Sequence, residues 1–167
     1  MIIAGTGHRP DKLGGYSDQA FKRLVSFLRI QLVRKDPELV ISGTALGLDF
    51  ALLVAARQLG IKVRAAVPFE GFGSQWSPST YEFWQAWINS CNEVVVLKDL
   101  GPEPERFSVV KALDDRNKYM VNESDRMFSL WNGTKGGTYN CIQYANKVRK
   151  PVDNYWTHWT RSRFFME

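Results

Sequence analysis

ELVISGTALGLDFALLVAARQLGIKVRAAVPF, residues 38–69, decides the fold. It holds two short apolar runs, ELVISG and KVRAAVPF, rich in Val, Ile and Ala and bounded by polar residues, Gly or Pro. Between them Ala51, Val54 and Ala55 recur at helical spacing. A strand, a helix and a second strand in so short a stretch make a crossover unit whose two strands run parallel. Neither strand alternates cleanly between apolar and polar residues, the pattern of strands covered on both faces.

The same grammar extends outward. MIIAG, EVVVL, RMFSLW and PVDNYW read as further strands, and Phe21, Leu24, Val25, Leu28 and Leu32 form one helical stripe, with Ile142, Ala145 and Val148 forming another. The expected architecture is α/β, a Rossmann-like three-layer sandwich with a mostly parallel sheet of about five or six strands. At 167 residues and 44% hydrophobic content the chain suits one core. We expect a single domain over residues 1–156 and a C-terminal tail over 157–167. No apolar run reaches the ~20 residues of a membrane span, and no secretory pattern opens the chain, so a cytoplasmic protein without membrane partners is expected. The two cysteines, Cys91 and Cys141, have no metal-ligand spacing, so neither a metal site nor a disulfide is expected.

In such a sheet, ligands bind beyond the carboxyl ends of the strands. The loops found there are GTGHRPDK (5–12), SGTALGLD (42–49), PFEGFGSQWSP (68–78), KDLGPEPERF (98–107) and NGTKGGT (132–138). Four of these five carry at least two glycines, and helix N-termini following such loops bind anions through free N–H groups. Candidate ligand-binding residues are therefore Gly5, Thr6, Gly7 and Arg9; Ser42, Gly43 and Gly47; Gln75 and Trp76; and Asn132, Gly136, Gly137 and Thr138, with Lys135 adding charge. Trp76 is expected to stack on a base or to close the pocket. Asp49, Glu70 and His8 are the candidate catalytic groups, two carboxylates in or beside strand-end loops and one imidazole that titrates near neutrality. Asp49 equally suits a helix start and His8 a structural hydrogen bond. On the helix around residues 108–125, Val110, Leu113 and Val121 are expected to be buried, with Arg116 and Asn117 able to turn toward the sheet edge. Six cations against Asp153 between Thr134 and Arg163 equal the whole net charge of +5, which marks an anionic partner or a solvated basic surface.

The segments TGHRP, VISGTALGLDFALLVAARQLG, PF with QW, and RNKYMVNESDRMFSLWNGTKGGTYNCIQYANKVRKPV together resemble the YpsA-like branch of the SLOG superfamily. That Rossmann-like group also contains the Lonely Guy phosphoribohydrolases and the DNA-processing protein A domain. The resemblance runs from Ile2 to about Tyr155. It implies a nucleotide or nucleotide-derived ligand on the glycine-rich loops, with no separate cofactor, held by a sensor or sequestering module. Hydrolysis of an N-glycosidic bond is the alternative and binding of single-stranded nucleic acid the second alternative. Pairing of two copies through flanking helices is also implied. The chain departs from the PGGxGTxxE motif of the Lonely Guy enzymes: TKGGT lacks the proline, and Cys141 stands where the glutamate belongs.

Overall fold

A computed structural model describes residues 1–166. Six strands form one wholly parallel sheet: β1 (Ile2–Gly7), β2 (Leu39–Ser42), β3 (Lys62–Val67), β4 (Glu93–Val96), β5 (Arg126–Leu130) and β6 (Val152–Asn154). Their spatial order is β4-β3-β2-β1-β5-β6, so all six apolar runs of the sequence became strands. The chain winds outward from β1 to β4, then returns to lay β5 on the other side of β1. The β1–β5 seam is therefore the topological switch point, the place where open α/β sheets ordinarily bind their ligands.

Helices cover both faces. On one side lie α1 (Asp18–Lys35), α2 (Leu48–Gln58) and α3 (Pro78–Asn89), and on the other α4 (Arg106–Glu123) and α5 (Gly137–Lys147). The Ser17 hydroxyl caps α1 by accepting the Ala20 N–H at 3.1 Å, and its stripe buries Leu24, Leu28 and Leu32, each contributing roughly 1.5–3 kcal/mol. Helix α2 is apolar all round and buries every residue from Leu48 to Ala56. The expected stripe of α5 is shortened, because Val148 lies past its end and is exposed. On α4, Val110 is exposed, while Ala112, Arg116, Met120 and Val121 face inward.

Beyond β6, α6 (Trp156–Thr160) runs across the boundary at 156/157 where a tail was expected to begin. Its Trp159 is 1% exposed and packs edge-on against Phe27 of α1, with ring centroids 5.2 Å apart. No helix among the described residues is long and apolar enough to cross a membrane.

Candidate functional site

The glycines of β1 serve packing. A Cβ on Gly5 would stand 2.4 Å from Leu52 Cδ2, and one on Gly7 would stand 2.6 Å from Leu48 Cγ, so both let α2 lie directly on the strand. Gly47, at φ 101°, sits where a Cβ would meet the His8 carbonyl oxygen at 2.4 Å. The start of α2 is closed by its own surroundings: Leu48 N–H donates to the His8 carbonyl at 3.1 Å and Phe50 N–H to the Ala45 carbonyl at 2.9 Å. Two of the first amides of this helix are thus already engaged.

Gly43 is surrounded by charge. A Cβ there would lie 2.8 Å from Asp49 Oδ2 and 2.9 Å from Arg116 Cζ and Nη1. Arg116, only 4% exposed, donates through Nη1 to the Gly43 carbonyl and through Nε to Asn117 Oδ1 at 3.0 Å. Burial pushes the Asp49 carboxyl above its ordinary value, against the pull of Arg116 and Arg9, and burial lowers Arg116. Arg9 is exposed and near enough to bear on both. Thr6 and Cys141 lie on the side of β1 facing α4 and α5, where burial raises the Cys141 thiol to about 11, so it is protonated at neutral pH.

The turn after β2 is held tightly. Ser42 Oγ donates to the Asp49 carbonyl at 2.7 Å and accepts from Thr44 N–H at 3.1 Å, while Trp84 Nε1 donates to the Thr44 carbonyl at 2.8 Å. Ser42 is thus committed to the turn. Thr44 has φ 69°, an outlier for a β-branched residue, and its hydroxyl is buried without a partner among the described residues. Strain of this kind gathers at functional sites. No residue-type rule applied to SGTALG marks Thr44; only the backbone conformation does.

Across the seam, His8 Nε2 accepts the Asn132 N–H at 2.9 Å, and its ring meets Trp156 edge-on at 5.4 Å. Burial lowers its pKa, and an accepting Nε2 puts the proton of the neutral ring on Nδ1. His8 therefore ties β1 to the β5–α5 loop. Asn132 folds that loop by accepting from Thr134 N–H at 3.1 Å and Thr134 Oγ1 at 2.7 Å. Gly136 is the N-cap of α5; no side chain caps the helix, its first turn holds no acid, and Asn140 N–H makes the first amide bond, to the Gly136 carbonyl at 3.0 Å. The amides of Gly137, Thr138 and Tyr139 precede that bond, and residues 132–137 are exposed, with Lys135 among them.

The remaining candidates lie elsewhere. Glu70 and Gln75 are exposed after β3, two strands from β1 and so roughly 10 Å from the seam at the usual strand spacing. Trp76 packs edge-on against Phe72 at 5.4 Å and Trp84 at 5.6 Å, and its ring fills the space beside Gly73, so the indole is an anchor for its loop. The structure thus gathers Thr6, His8, Arg9, Gly43, Asp49, Asn132 and the start of α5 at the ends of β1, β2 and β5, adds Arg116 and Thr44, and leaves Glu70, Gln75 and Trp76 apart.

Comparison with known proteins bears on the family and the fold. The YpsA family model, described as the YspA SLOG family, matches residues 3–160. The uncharacterized SPbeta prophage-derived protein YoqJ of Bacillus subtilis is 27% identical over 137 residues, covering 75% of this chain and 80% of YoqJ. Among solved structures, DNA processing protein A from Helicobacter pylori, described for its single-stranded DNA binding mode, superposes with a TM-score of 0.61 at 19% identity. The match covers 91% of this chain but 63% of the Helicobacter one, less than two thirds of its length. The molybdenum cofactor binding protein from Rippkaea orientalis gives 0.56 at 14% identity, covering 90% of this chain and 73% of that one. At such identities the two structures share the fold.

Proposed function

Because this chain belongs to the YpsA SLOG family, we propose that it binds a nucleotide or nucleotide-derived anion at the β1–β5 seam and holds it as a sensor or sequestering module. The observation that carries this reading is the start of α5: free amides on an exposed, glycine-rich turn at the switch point, with a lysine and no acid. Helix dipole and N–H groups then act together on a phosphate. Arg9 and the buried Arg116 extend the positive field along the seam, and the strained Thr44 lies on its β2 side. The solved relatives that bind single-stranded DNA and molybdenum cofactor are consistent with an anion here.

The test is calorimetric titration of protein freed of co-purified small molecules with nucleoside mono-, di- and triphosphates. One phosphate class is expected to bind, and Lys135→Ala or Arg9→Ala to weaken it about fivefold to tenfold while the fold stays intact. No binding by any member at millimolar concentration would refute the reading. A single-stranded oligonucleotide binding with a steep salt dependence would move it to nucleic acid.

One observation favours turnover as a second reading. Asp49 is a buried carboxyl with a raised pKa at the seam, the condition of a group that delivers a proton to a leaving base. Glycosidases ordinarily pair two carboxylates, and Glu70 is exposed beyond β3 while Asp49 is buried beside Gly43, so Asp49 would act without that partner. Free base released at a rate lost in Asp49→Asn would establish this reading; bound nucleotide recovered unchanged would remove it.

A further inference from the structure

The wall between α1 and the C-terminal segment carries a second concavity, away from the strand-end loops. Ile30 and Phe164 give it an apolar floor over the buried Phe27, and Arg34, His158 and Arg161 stand around it; the open groove holds about 370 Å³. Arg163 also lines it, with its guanidinium 4.9 Å from the Phe164 ring centroid. Among the described residues no carboxylate lines the groove, and none of Arg34, Arg161 and Arg163 takes part in an ion pair. Three arginines thus line one groove with nothing of opposite sign between them among the described residues, and their mutual repulsion is relieved when an anion enters.

The second observation is Gln31. It lies within α1, is 6% exposed, lines the groove, and its amide has no hydrogen-bond partner among the described residues. Water in the groove satisfies that amide, and a ligand that hydrogen-bonds to Gln31 would take the water's place.

We infer that this groove is a ligand site for a small organic anion: a phosphate, sulfonate or carboxylate held by Arg34 and Arg161, attached to a planar or acyl body lying on Ile30 and Phe164 and hydrogen-bonded to Gln31. Arginine guanidinium groups match such anions in a bidentate fork, and an apolar floor with a few converging polar groups is the usual make-up of a small-molecule site. The volume suits one ring-sized body, at the lower end of ligand pockets of about 300–1,000 Å³. A single-stranded nucleic acid would need a basic track several nucleotides long, and here the cations converge on one spot. The site is independent of the seam, sharing no residue with the loops proposed to bind nucleotide.

The probe is 1-anilinonaphthalene-8-sulfonate, an aromatic sulfonate whose fluorescence rises on transfer from water. Expected are saturable one-to-one binding to the folded chain and a shift of the Gln31 side-chain amide signal in nitrogen-15 NMR. The double variant Arg34→Gln/Arg161→Gln should weaken binding about tenfold or more, as for the loss of charge-assisted bonds, and Gln31→Leu about threefold or more. The two arginines are exposed, so the double variant folds as the parent does, and its unchanged circular dichroism checks that. Equal affinity in parent and double variant, or an unmoved Gln31 signal at saturation, overturns the proposal. So does displacement of the probe by an oligothymidylate but not by naphthyl phosphate, or loss of probe sites as the chain self-associates. Lys135→Ala, which tests the seam, should leave probe binding unchanged.

Discussion

Gly43→Ala and Gly137→Ala should separate the two kinds of glycine in this fold. At Gly43 the new Cβ would stand 2.8 Å from the Asp49 carboxylate and 2.9 Å from the Arg116 guanidinium. Neither group can swing away freely, since both are buried and Arg116 is held at Gly43 O and Asn117 Oδ1. Overpacking costs about 1–3 kcal/mol and a lost hydrogen bond to a charged group about 1.5–3 kcal/mol, so the expected loss is about 2.5–6 kcal/mol. For a chain of this size that lowers the melting temperature by roughly 5–20 °C. At Gly137 nothing lies within 4 Å of the added atom and the backbone is not left-handed, so stability should stay within about 0.5 kcal/mol of the parent. Paired calorimetric and urea melts decide it. Gly43→Ala melting within about 2 °C of the parent, or Gly137→Ala falling as far as Gly43→Ala, would refute the packing argument.

Three further outcomes follow from the titrating groups. Asp49 has a raised native pKa, so its contribution is fully present below the ordinary value of 3.8 and is lost as pH rises to the native value. Asp49→Asn should flatten that part of the pH–stability curve, and an unchanged curve would contradict the burial argument. His8 has a lowered pKa, so the contribution runs the other way: stability is present above 6.5 and lost as pH falls toward the native value. His8→Gln, which keeps an acceptor for Asn132 N–H, should lose less stability than the parent between pH 7.5 and 5 in urea melts. Asp153, held at about 2 by Arg126 and Lys35, pins edge strand β6 to β5 and α1. Asp153→Asn should cost about 1–2 kcal/mol at pH 7, and the difference should vanish as pH falls through about 2.

The six strands and their parallel run were legible because short Val- and Ile-rich runs, separated by helical stripes, leave few other readings; their spatial order was not. The purpose of the glycines was not. Gly5, Gly7, Gly43 and Gly137 look alike in sequence, and only the sheet decides which faces α2, which faces a buried charge and which faces solvent. On α4 the expected stripe erred at Val110, which is exposed, whereas Arg116, read as able to turn toward the sheet, does turn inward, its charge tolerated because Gly43 O, Asn117 and Asp49 surround it. Trp76 looked free because its loop is polar; its partners, Phe72 and Trp84, lie on both sides of it in sequence.

The most direct test of the central claim is a nitrogen-15 NMR titration of the ligand-free protein with the tightest-binding nucleotide of the panel. Saturating shifts are expected at the amides of Gly136, Gly137, Thr138 and Tyr139, with smaller ones at Gly43 and Thr44. Saturating shifts confined to residues 69–77, or to the groove between α1 and α6, would contradict the claim.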